Sequence, residues 1–498
     1  GVIKGSENYM CIMNNMSFKQ GDCKIHNISY KTLMNDFEAS KAGYDCAATC
    51  EYIMARKRAM QAPVTLMTYA FWLIQRNSVA PLYAVQGRPE EAPFEKRDFI
   101  VCDECHKLGE IVQEQYSPKI DSENNNKILE LLSFAQANGL RTNSITISDF
   151  NKAAYNISIS SDNEKLYENI KEYTKLTQVL ANINASVTNM CVRNPNLYND
   201  KDVRKVLYLG DFAKTLHDSL IDYLSLIDFI GKECMVNNCD TAEKIKLNCI
   251  YEDFLVKKYF HDECGNELLL SATIGNSDIY SANIGIKRLN MEPEKRFRFK
   301  KIPSTFDFSR SPIYFLPNYK MSYKEKDTNL PIVSNLIYTL CDKHINERGI
   351  VQTGSFAFSN YLYEKAPKEI RKRLLIYNDS KIKGDLIWEY KNFKNKILVG
   401  PSLTTGISLD DDMCRFLIVM KVPYLSLGDK LVAAKMKNSQ LWYSNQTVIN
   451  LQQGFGRGIR NPNDWCISYV LDGCFSDLLR FNFHLFDREI LDRIVYLQ

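Results

Sequence analysis

The stretch DFIVCDECH, at positions 98 to 106, decides the fold class. Its four apolar residues, Phe99 to Cys102, predict a short buried strand, and the acidic pair Asp103 and Glu104 follows directly at its end. An apolar run that ends in acids is typical of the carboxyl edge of a parallel sheet, where a cleft opens. There, one carboxylate can hold Mg²⁺ through its waters while the next deprotonates an attacking water. A solvated strand end is the alternative interpretation.

Further apolar runs predict more strands and a helical region along the chain. PVTLMTY at 63 to 69 predicts a second buried strand, and long amphipathic segments between 115 and 255 predict a mostly helical domain. Short strands then return, with helical segments between several of them, at 267 to 273, 313 to 317, 348 to 354, 396 to 401 and 415 to 422. This alternation predicts a doubly wound α/β domain from about 280 to 498.

Composition excludes several classes of protein. The 498 residues are too many for one core, and 45% hydrophobic with 24% charged residues is typical of a globular chain. No apolar run approaches about 18 residues and the first 30 residues show no secretion signal, so we expect an intracellular protein without a membrane span. A net charge of +4 permits a nucleic-acid partner without requiring one. The 15 cysteines, an odd number, favour a reducing compartment, where a cysteine cluster is a candidate metal site.

Two further motifs can carry chemistry. SATIGN at 271 to 276 follows an apolar strand, and its hydroxyl residues can relay hydrogen bonds between sites, although a tight turn is the plainer interpretation. In QGFGRGIR, at 453 to 460, three glycines clear space around Arg457. If the end of this segment is helical, Arg457 and Arg460 share a face and both reach a polyphosphate; two solvated arginines on a surface helix are the alternative.

In this order and spacing, these motifs resemble the XPD and DinG family of superfamily 2 DNA helicases. DECH resembles the family's DEAH box, SAT its third motif and QGFGRGIR its QAxGRxIR arginine motif. TTGIS within 403 to 412 resembles the fifth motif, and Phe306 in STFDF matches the SPF segment. The resemblance covers nearly the whole chain.

The resemblance implies an α/β fold with two RecA-like motor domains, the first of which carries two inserts. The implied domains are a cysteine-bearing insert at 1–63, the first motor at 64–114 and 256–285, a helical arch at 115–255 and the second motor at 286–498. ATP would bind between the motors with Asp103 on Mg²⁺, Glu104 as catalytic base, and Arg457 and Arg460 on the γ-phosphate. The implied nucleotide-binding residues are Asp103, Glu104, His106, Gly406, Gln453, Arg457 and Arg460, and the implied coupling residues are Ser271, Ala272 and Thr273.

The family also suggests a role for the first cysteines. Members with an iron-sulfur cluster carry four cysteines between the first motif and the DEAH box, and the set Cys11, Cys23, Cys46 and Cys50 resembles these ligands. Four thiolates can hold a 4Fe-4S cluster. A tetrahedral Zn²⁺ site and four unligated cysteines in a degenerate insert are the alternatives.

The sequence departs from the family in two places. Residue 1 corresponds to a point beyond the first motif, a phosphate-binding loop that ends in Gly-Lys-Thr or Gly-Lys-Ser, and Gly231-Lys232 lies inside a helical pattern and is followed by Glu. The simplest account is that the sequence lacks an N-terminal segment needed for activity; a helicase relic without ATPase activity is the alternative. In the fifth motif, Thr405 and Ser408 stand where the family has Glu and Asp.

Outside these motifs, the basic stretch at 294 to 301 and several isolated histidines and cysteines favour structural roles. EKRFRFKK at 294 to 301 alternates basic residues with Phe297 and Phe299, which favours a core strand with a solvated basic face over an exposed stacking platform. We expect His217, Cys234 and Cys239 to be structural rather than ligands.

The function expected from the resemblance is an ATP-dependent DNA helicase that translocates 5′ to 3′ on single-stranded DNA and unwinds forked or 5′-tailed duplexes. The alternatives are a nucleic-acid-binding scaffold without turnover and a DinG-like enzyme acting as a nuclease, although no separate nuclease domain is visible in the sequence.

Overall fold

The structure is a computed structural model that describes residues 1–18, 23, 33–85, 92–94, 96–194, 197, 201–241, 243–290, 296–377, 383–402, 409 and 411–497. The described α-helices are α1 (Asp36–Lys41), α2 (Glu51–Gln61), α3 (Tyr69–Ile74), α4 (Ala80–Val85), α5 (Leu108–Tyr116), α6 (Ser122–Ala137), α7 (Ile147–Ser158), α8 (Asn163–Arg193), α9 (Lys201–Ile230), α10 (Asp253–Tyr259), α11 (Ser277–Asn283), α12 (Ile286–Leu289), α13 (Lys326–Lys343), α14 (Phe356–Lys365), α15 (Lys368–Arg371), α16 (Lys383–Asn392), α17 (Lys430–Asn438), α18 (Gln440–Phe455), α19 (Cys474–Asn482) and α20 (Arg488–Leu491).

The described strands form three sheets. They are β1 (Phe99–Cys102), β2 (Lys119–Asp121), β3 (Met235–Thr241), β4 (Lys244–Cys249), β5 (Asn266–Leu269), β6 (Ile313–Phe315), β7 (Gly349–Gln352), β8 (Leu374–Ile376), β9 (Ile397–Gly400), β10 (Phe416–Val419), β11 (Ile467–Val470) and β12 (Ile494–Tyr496). The chain divides into two compact units. The first unit contains Gly1–Leu270, Ala282–Lys295 and Asp429–Ala434, and the second contains Ser271–Ser281, Arg296–Gly428 and Lys435–Gln498.

The second unit is built on a parallel seven-stranded sheet in the order β12-β6-β11-β10-β7-β9-β8. Its strands are short and apolar because both faces are covered. Along β10, Phe416 and Ile418 join one hydrophobic core, whereas Leu417 and Val419 join the other. Successive side chains of a strand point to opposite faces, so this alternation places a core on each side of the sheet. The doubly wound domain predicted from the sequence is confirmed.

The first unit contains a parallel pair, β1 and β5, and a mostly helical region. The long helices α8 and α9 pack against each other around a core that includes Tyr173 and Leu220. An antiparallel sheet, β2-β4-β3, flanks this core; the sequence prediction of a helical domain did not include it. None of the helices in the described part of the chain is long and apolar enough to cross a membrane.

Three local predictions are corrected in the first unit. No strand forms at 63 to 69, where Val64 is 72% exposed and Leu66 makes only an isolated bridge to Val2. Strand β1 exists, yet it is not fully buried, because Phe99 and Val101 are each 56% exposed. Gly231 lies beyond the end of α9 instead of inside a helix, with a φ of 103° that favours glycine.

Asp472 anchors the segments around the carboxyl end of β11. Its carboxylate is 1% exposed and accepts backbone N–H bonds from Met321 at 2.8 Å, Val422 at 2.9 Å and Cys474 at 2.9 Å. Removing the acceptor leaves buried donors unpaired, which costs about 1–3 kcal/mol per group. The carboxylate of Asp472 therefore stabilises the three segments whose N–H groups it accepts.

We expect Asp472→Ala to lower the free energy of unfolding by about 3 kcal/mol or more. The matched control is Asp477→Ala, since Asp477 forms only a solvent-exposed pair with Lys320 at 2.9 Å, and exposed pairs contribute little to stability. Urea unfolding of both variants measures the difference. Equal losses in the two variants would show that the buried carboxylate has no special role.

Candidate nucleotide site

The DECH loop begins where β1 ends, and its backbone is held from both sides. Leu270 donates its N–H to the carbonyl of Cys102 at 2.8 Å, and its own carbonyl accepts from the N–H of Cys105 at 2.9 Å. These two bonds bracket Asp103 and Glu104, whose side chains are exposed. The acidic pair is thus presented at the carboxyl end of a parallel strand pair, the position at which α/β proteins bind ligands.

The backbone of Glu104 is in the left-handed region, with φ 51° and ψ 40°. A residue other than glycine rarely adopts this conformation, which costs of order 1 kcal/mol and persists only where neighbouring bonds enforce it. Two such bonds are present: the Glu104 N–H donates to Asp103 Oδ1 at 2.9 Å, and its carbonyl accepts from Lys107 N–H at 3.1 Å. The carboxylate of Glu104 is therefore aimed by a strained, fixed backbone.

Tyr69, which the sequence reasoning did not single out, supports the same loop. Its hydroxyl donates to the carbonyl of Asp103 at 2.7 Å, and burial raises the pKa of Tyr69 well above its usual range. The hydroxyl therefore stays protonated and remains a donor. Burial also raises the pKa of the neighbouring Cys102 thiol to about 12, so this thiol is not a nucleophile at neutral pH.

His106 lies against the candidate base. Its Nδ1 is 3.2 Å from Glu104 Oε2, and its side chain is only 7% exposed. Burial lowers the pKa of His106, so the imidazole is neutral at pH 7. A neutral ring beside the carboxylate restricts its position without cancelling its charge.

The oxygen donors of the DECH loop fit a magnesium ion. Mg²⁺ prefers carboxylate oxygens and is usually held by one or two of them together with substrate phosphates. Asp103 and Glu104 supply two exposed carboxylates, and the described residues contain no group of three His, Cys, Asp or Glu side chains that would hold an ion alone. The pair therefore suits a cation that arrives with a polyphosphate.

The arginine motif lies in the second unit, at the end of α18. Because α18 ends at Phe455, Arg457 and Arg460 lie in the turn beyond it and the predicted shared helical face is wrong. The loop is fixed by Asp464, which is 3% exposed and accepts from the Arg460 N–H at 3.0 Å and from Arg415 Nη1 at 3.2 Å. The Arg460 side chain is exposed and that of Arg457 is half-buried.

The SAT motif also belongs to the second unit, although it follows β5 directly. Gln453, one of the predicted nucleotide-site residues, donates from Nε2 to Thr273 Oγ1 at 3.1 Å. Ser271 Oγ accepts from the Thr273 N–H at 3.1 Å, and Ala272 is exposed. The structure thus joins the third motif to the helix that ends at the arginine motif. The predicted Gly406, Thr405 and Ser408 lie outside the described residues.

The four predicted cluster ligands are in the first unit, and none of them is in a disulfide bond within the described part of the chain. Cys11, Cys23 and Cys50 are buried and Cys46 is half-buried, and Cys23 and Cys50 share one small hydrophobic core. Thiols are suitable donors for an iron-sulfur cluster. Among the described side chains no group of three or more candidate ligands is close enough to hold a metal ion, so the cluster stays a prediction.

The basic and aromatic stretch at 296 to 301 is not a core strand. Residues 296 to 305 form neither helix nor strand, and Phe299 is 56% exposed. Arg296, Arg298 and Lys300 are exposed and, in the described part of the chain, make no ion pair. The prediction of a buried strand is therefore wrong; of the two aromatic rings, Phe299 is exposed and Phe297 is half-buried. His217 is structural as predicted: it is buried in the helical region, with Nδ1 3.0 Å from Thr177 Oγ1.

Two supporting residues escaped the sequence reasoning, Tyr69 and Asp464. Tyr69 ended an apolar run that resembled a strand, and Asp464 lay in a polar loop with no motif around it. Their contacts are 34 and 4 residues away in sequence, to Asp103 and Arg460 respectively. Only the tertiary structure reveals such bonds.

The chain is similar in sequence to known helicases. Residues 337–478 match the family model of the helicase C-terminal domain. The ATP-dependent DNA helicase YoaA of Escherichia coli K12 is 23% identical over 528 residues, covering 95% of this chain and 79% of that protein. The ATP-dependent DNA helicase CHL1 of Candida albicans is 32% identical over 98 residues, covering 16% of this chain and 12% of that protein.

Solved structures with the same fold are XPD helicases. The structure of S. tokodaii Xpd4 has a TM-score of 0.54 at 15% identity. The match covers 92% of this chain and 89% of the Xpd4 chain. A second structure, of an XPD helicase, has a TM-score of 0.51 at 14% identity. The match covers 93% of this chain and 78% of that protein.

The fold is thus of the α/β class, with a parallel sheet consistent with RecA-like domains. The motif set, the helicase C-terminal domain at 337–478 and the similarity to YoaA over nearly the whole chain support the resemblance to the XPD and DinG family of superfamily 2 helicases.

Proposed function

We propose that this chain is an ATP-dependent DNA helicase that translocates 5′ to 3′ on single-stranded DNA and unwinds forked or 5′-tailed duplexes. The observation that carries the proposal is the exposed pair Asp103 and Glu104, held in a strained loop at the carboxyl end of β1. The similarity to a named ATP-dependent DNA helicase over 95% of the chain supports the same function.

In the proposed reaction, ATP hydrolysis, four side chains have distinct roles. Asp103 holds Mg²⁺ with the phosphates of ATP, and Glu104, oriented by His106, takes the proton of the attacking water. Arg457 and Arg460 stabilise the charge that develops on the γ-phosphate. Magnesium supplies charge neutralisation at the phosphates when it is bound.

Contacts to DNA are proposed to be made mainly through phosphates and stacked bases without sequence readout. The stretch Arg296, Arg298, Phe299 and Lys300 suits this use, because it presents three cations and an exposed ring on irregular backbone. Binding through phosphates should weaken steeply as salt is added. A salt titration of single-stranded DNA binding measures this slope.

The direction of movement is tested with two partial duplexes that carry a 5′ tail or a 3′ tail, with ATP. The assay uses the full gene product. We expect unwinding of the 5′-tailed and forked substrates. Unwinding of the 3′-tailed substrate alone would contradict the polarity, and binding without ATP turnover would favour the scaffold. Cleavage of the strands would favour the nuclease.

The cysteine set is tested separately, because its geometry does not by itself indicate a metal site. If Cys11, Cys23, Cys46 and Cys50 hold a 4Fe-4S cluster, anaerobically purified protein contains iron and acid-labile sulfide and is brown. Cys50→Ser should lose the colour, whereas the control Cys239→Ser, on β3, should keep it. One equivalent of zinc without iron, or no metal at all, would show that the cluster prediction is wrong.

A further inference from the structure

One buried histidine of the first unit, His261, is bonded through both nitrogens of its ring. Its Nδ1 is 2.7 Å from Glu267 Oε2, and its Nε2 is 2.8 Å from the carbonyl oxygen of Ile284. The side chains of His261 and Glu267 are 0% and 3% exposed. All three residues belong to the first unit. Buried polar groups are costly unless they are hydrogen-bonded, so these bonds fix the three residues relative to one another.

The partners of the ring determine where its hydrogens lie. A backbone carbonyl can only accept, so Nε2 carries a hydrogen and donates to Ile284. Nδ1 faces a carboxyl oxygen, so one hydrogen lies between Nδ1 and Glu267 Oε2. Because neither side chain is exposed, the pair cannot touch a nucleotide, and it can act only through the elements that it joins.

The pair ties β5 to two neighbouring segments. Glu267 lies on β5, His261 lies in the turn after α10, and Ile284 precedes α12. In the described part of the chain β5 pairs only with β1, and a sheet of two strands is marginally stable by itself. The position of β5 therefore depends on side-chain anchors such as Glu267.

Strand β5 in turn supports the DECH loop. Cys102, which directly precedes the acidic pair, is the register partner of Leu269, so Glu267 lies on the same face of the sheet as Cys102. Burial raises the pKa of the Cys102 thiol, and the nearby Glu267 carboxylate raises it further. Three residues after Glu267, Leu270 makes the two backbone bonds that bracket the loop. A shift of β5 therefore moves the loop that carries the acidic pair.

We propose that His261 is a positioning residue for ATP hydrolysis, which holds β5 through Glu267 and thereby keeps the DECH loop in place. This inference rests on the proposed helicase function. Loss of the bond would let β5 shift, and a displacement of about 1 Å at reacting groups can lower a rate about 10²-fold. The effect should fall on the maximal rate more than on nucleotide affinity, because the orientation of Glu104 matters in the chemical step.

The test compares Glu267→Leu with Glu267→Gln in the full gene product. Leucine removes the partner of Nδ1. The glutamine amide can donate to Nδ1 of a neutral ring while Nε2 still donates to Ile284, so both bonds survive. We expect the maximal rate of ATP hydrolysis to fall by about 10- to 100-fold in the leucine variant and to recover in the glutamine variant. Amide hydrogen exchange at Cys105, whose N–H donates to the Leu270 carbonyl, should accelerate only in the leucine variant.

Tyr223→Phe is the matched control, because it removes one buried hydrogen bond of the first unit in the helical region rather than on β5. The side chain of Tyr223 is buried, and its hydroxyl donates to the Asn248 carbonyl at 2.9 Å. Urea unfolding measures the stability that each variant loses. We expect the control to keep the wild-type rate of hydrolysis and the wild-type exchange at Cys105.

Glu267→Ala removes the same partner and decides the question if the leucine variant does not fold. Unchanged exchange at Cys105, or an unchanged maximal rate, would overturn the positioning role while the wild type still hydrolyses ATP. An equal loss of hydrolysis in Glu267→Gln or in Tyr223→Phe would overturn it too, since the effect would then not depend on the hydrogen bond at Nδ1. A wild-type protein without ATP hydrolysis would overturn the proposed function, and the positioning role with it.

Discussion

Glu104→Gln is expected to lower the rate of ATP hydrolysis by about 10²–10⁴-fold in the full gene product while nucleotide binding is retained. The change preserves the shape of the side chain and removes only its capacity to take a proton. The strained backbone, held by Asp103 Oδ1 and the Lys107 N–H, keeps the amide where the carboxylate was. The effect should therefore fall on the maximal rate rather than on affinity.

The control for this variant is Glu110→Gln, an identical chemical change at an exposed position on the following helix, α5. Single-turnover hydrolysis and nucleotide-binding titrations of both variants separate chemistry from binding. Turnover of Glu104→Gln equal to that of the control would assign the base to another residue.

Arg457→Ala should lower the maximal rate of hydrolysis by about 10³–10⁵-fold, the contribution of such arginines in other phosphoryl-transfer systems. The loop that carries Arg457 is fixed independently through Asp464, so the variant should fold normally. Nucleotide affinity should change far less than the rate, since the charge that the arginine stabilises develops during the reaction.

Arg457→Lys separates charge from geometry. Lysine keeps the positive charge but lacks the planar fork of donors, so partial activity at most is expected. Full activity in Arg457→Ala would show that this arginine does not act on the reaction, and steady-state kinetics with a circular-dichroism check of folding provides the measurement.

The strands of the second unit were predictable because each is a short apolar run between polar segments. FLIV at 416–419 and ILVG at 397–400 are buried on both faces, and a fully apolar run has no other place in a soluble α/β domain. PVTLMTY at 63 to 69 is also rich in apolar and β-branched residues, yet it is not a strand. Composition alone cannot distinguish these cases, since a strand also needs neighbours to pair with.

For the candidate site, the motifs predicted the residues and the structure supplied their arrangement. DECH and QGFGRGIR identified the acids and arginines, but the left-handed backbone of Glu104 and the termination of α18 before Arg457 depend on long-range bonds. The bond of Asn445 to Asn276 spans 169 residues, which no local pattern reveals. The basic stretch near Phe299 was misassigned because period-two alternation is shared by strands and by irregular exposed chain.

The central claim is that this chain is an ATPase that responds to DNA. The most direct measurement is the rate of ATP hydrolysis by the full gene product, with Mg²⁺, in the presence and absence of single-stranded DNA. The account predicts hydrolysis that rises when single-stranded DNA is added and is lost in Glu104→Gln. Tight binding of single-stranded DNA with no hydrolysis under either condition would contradict it.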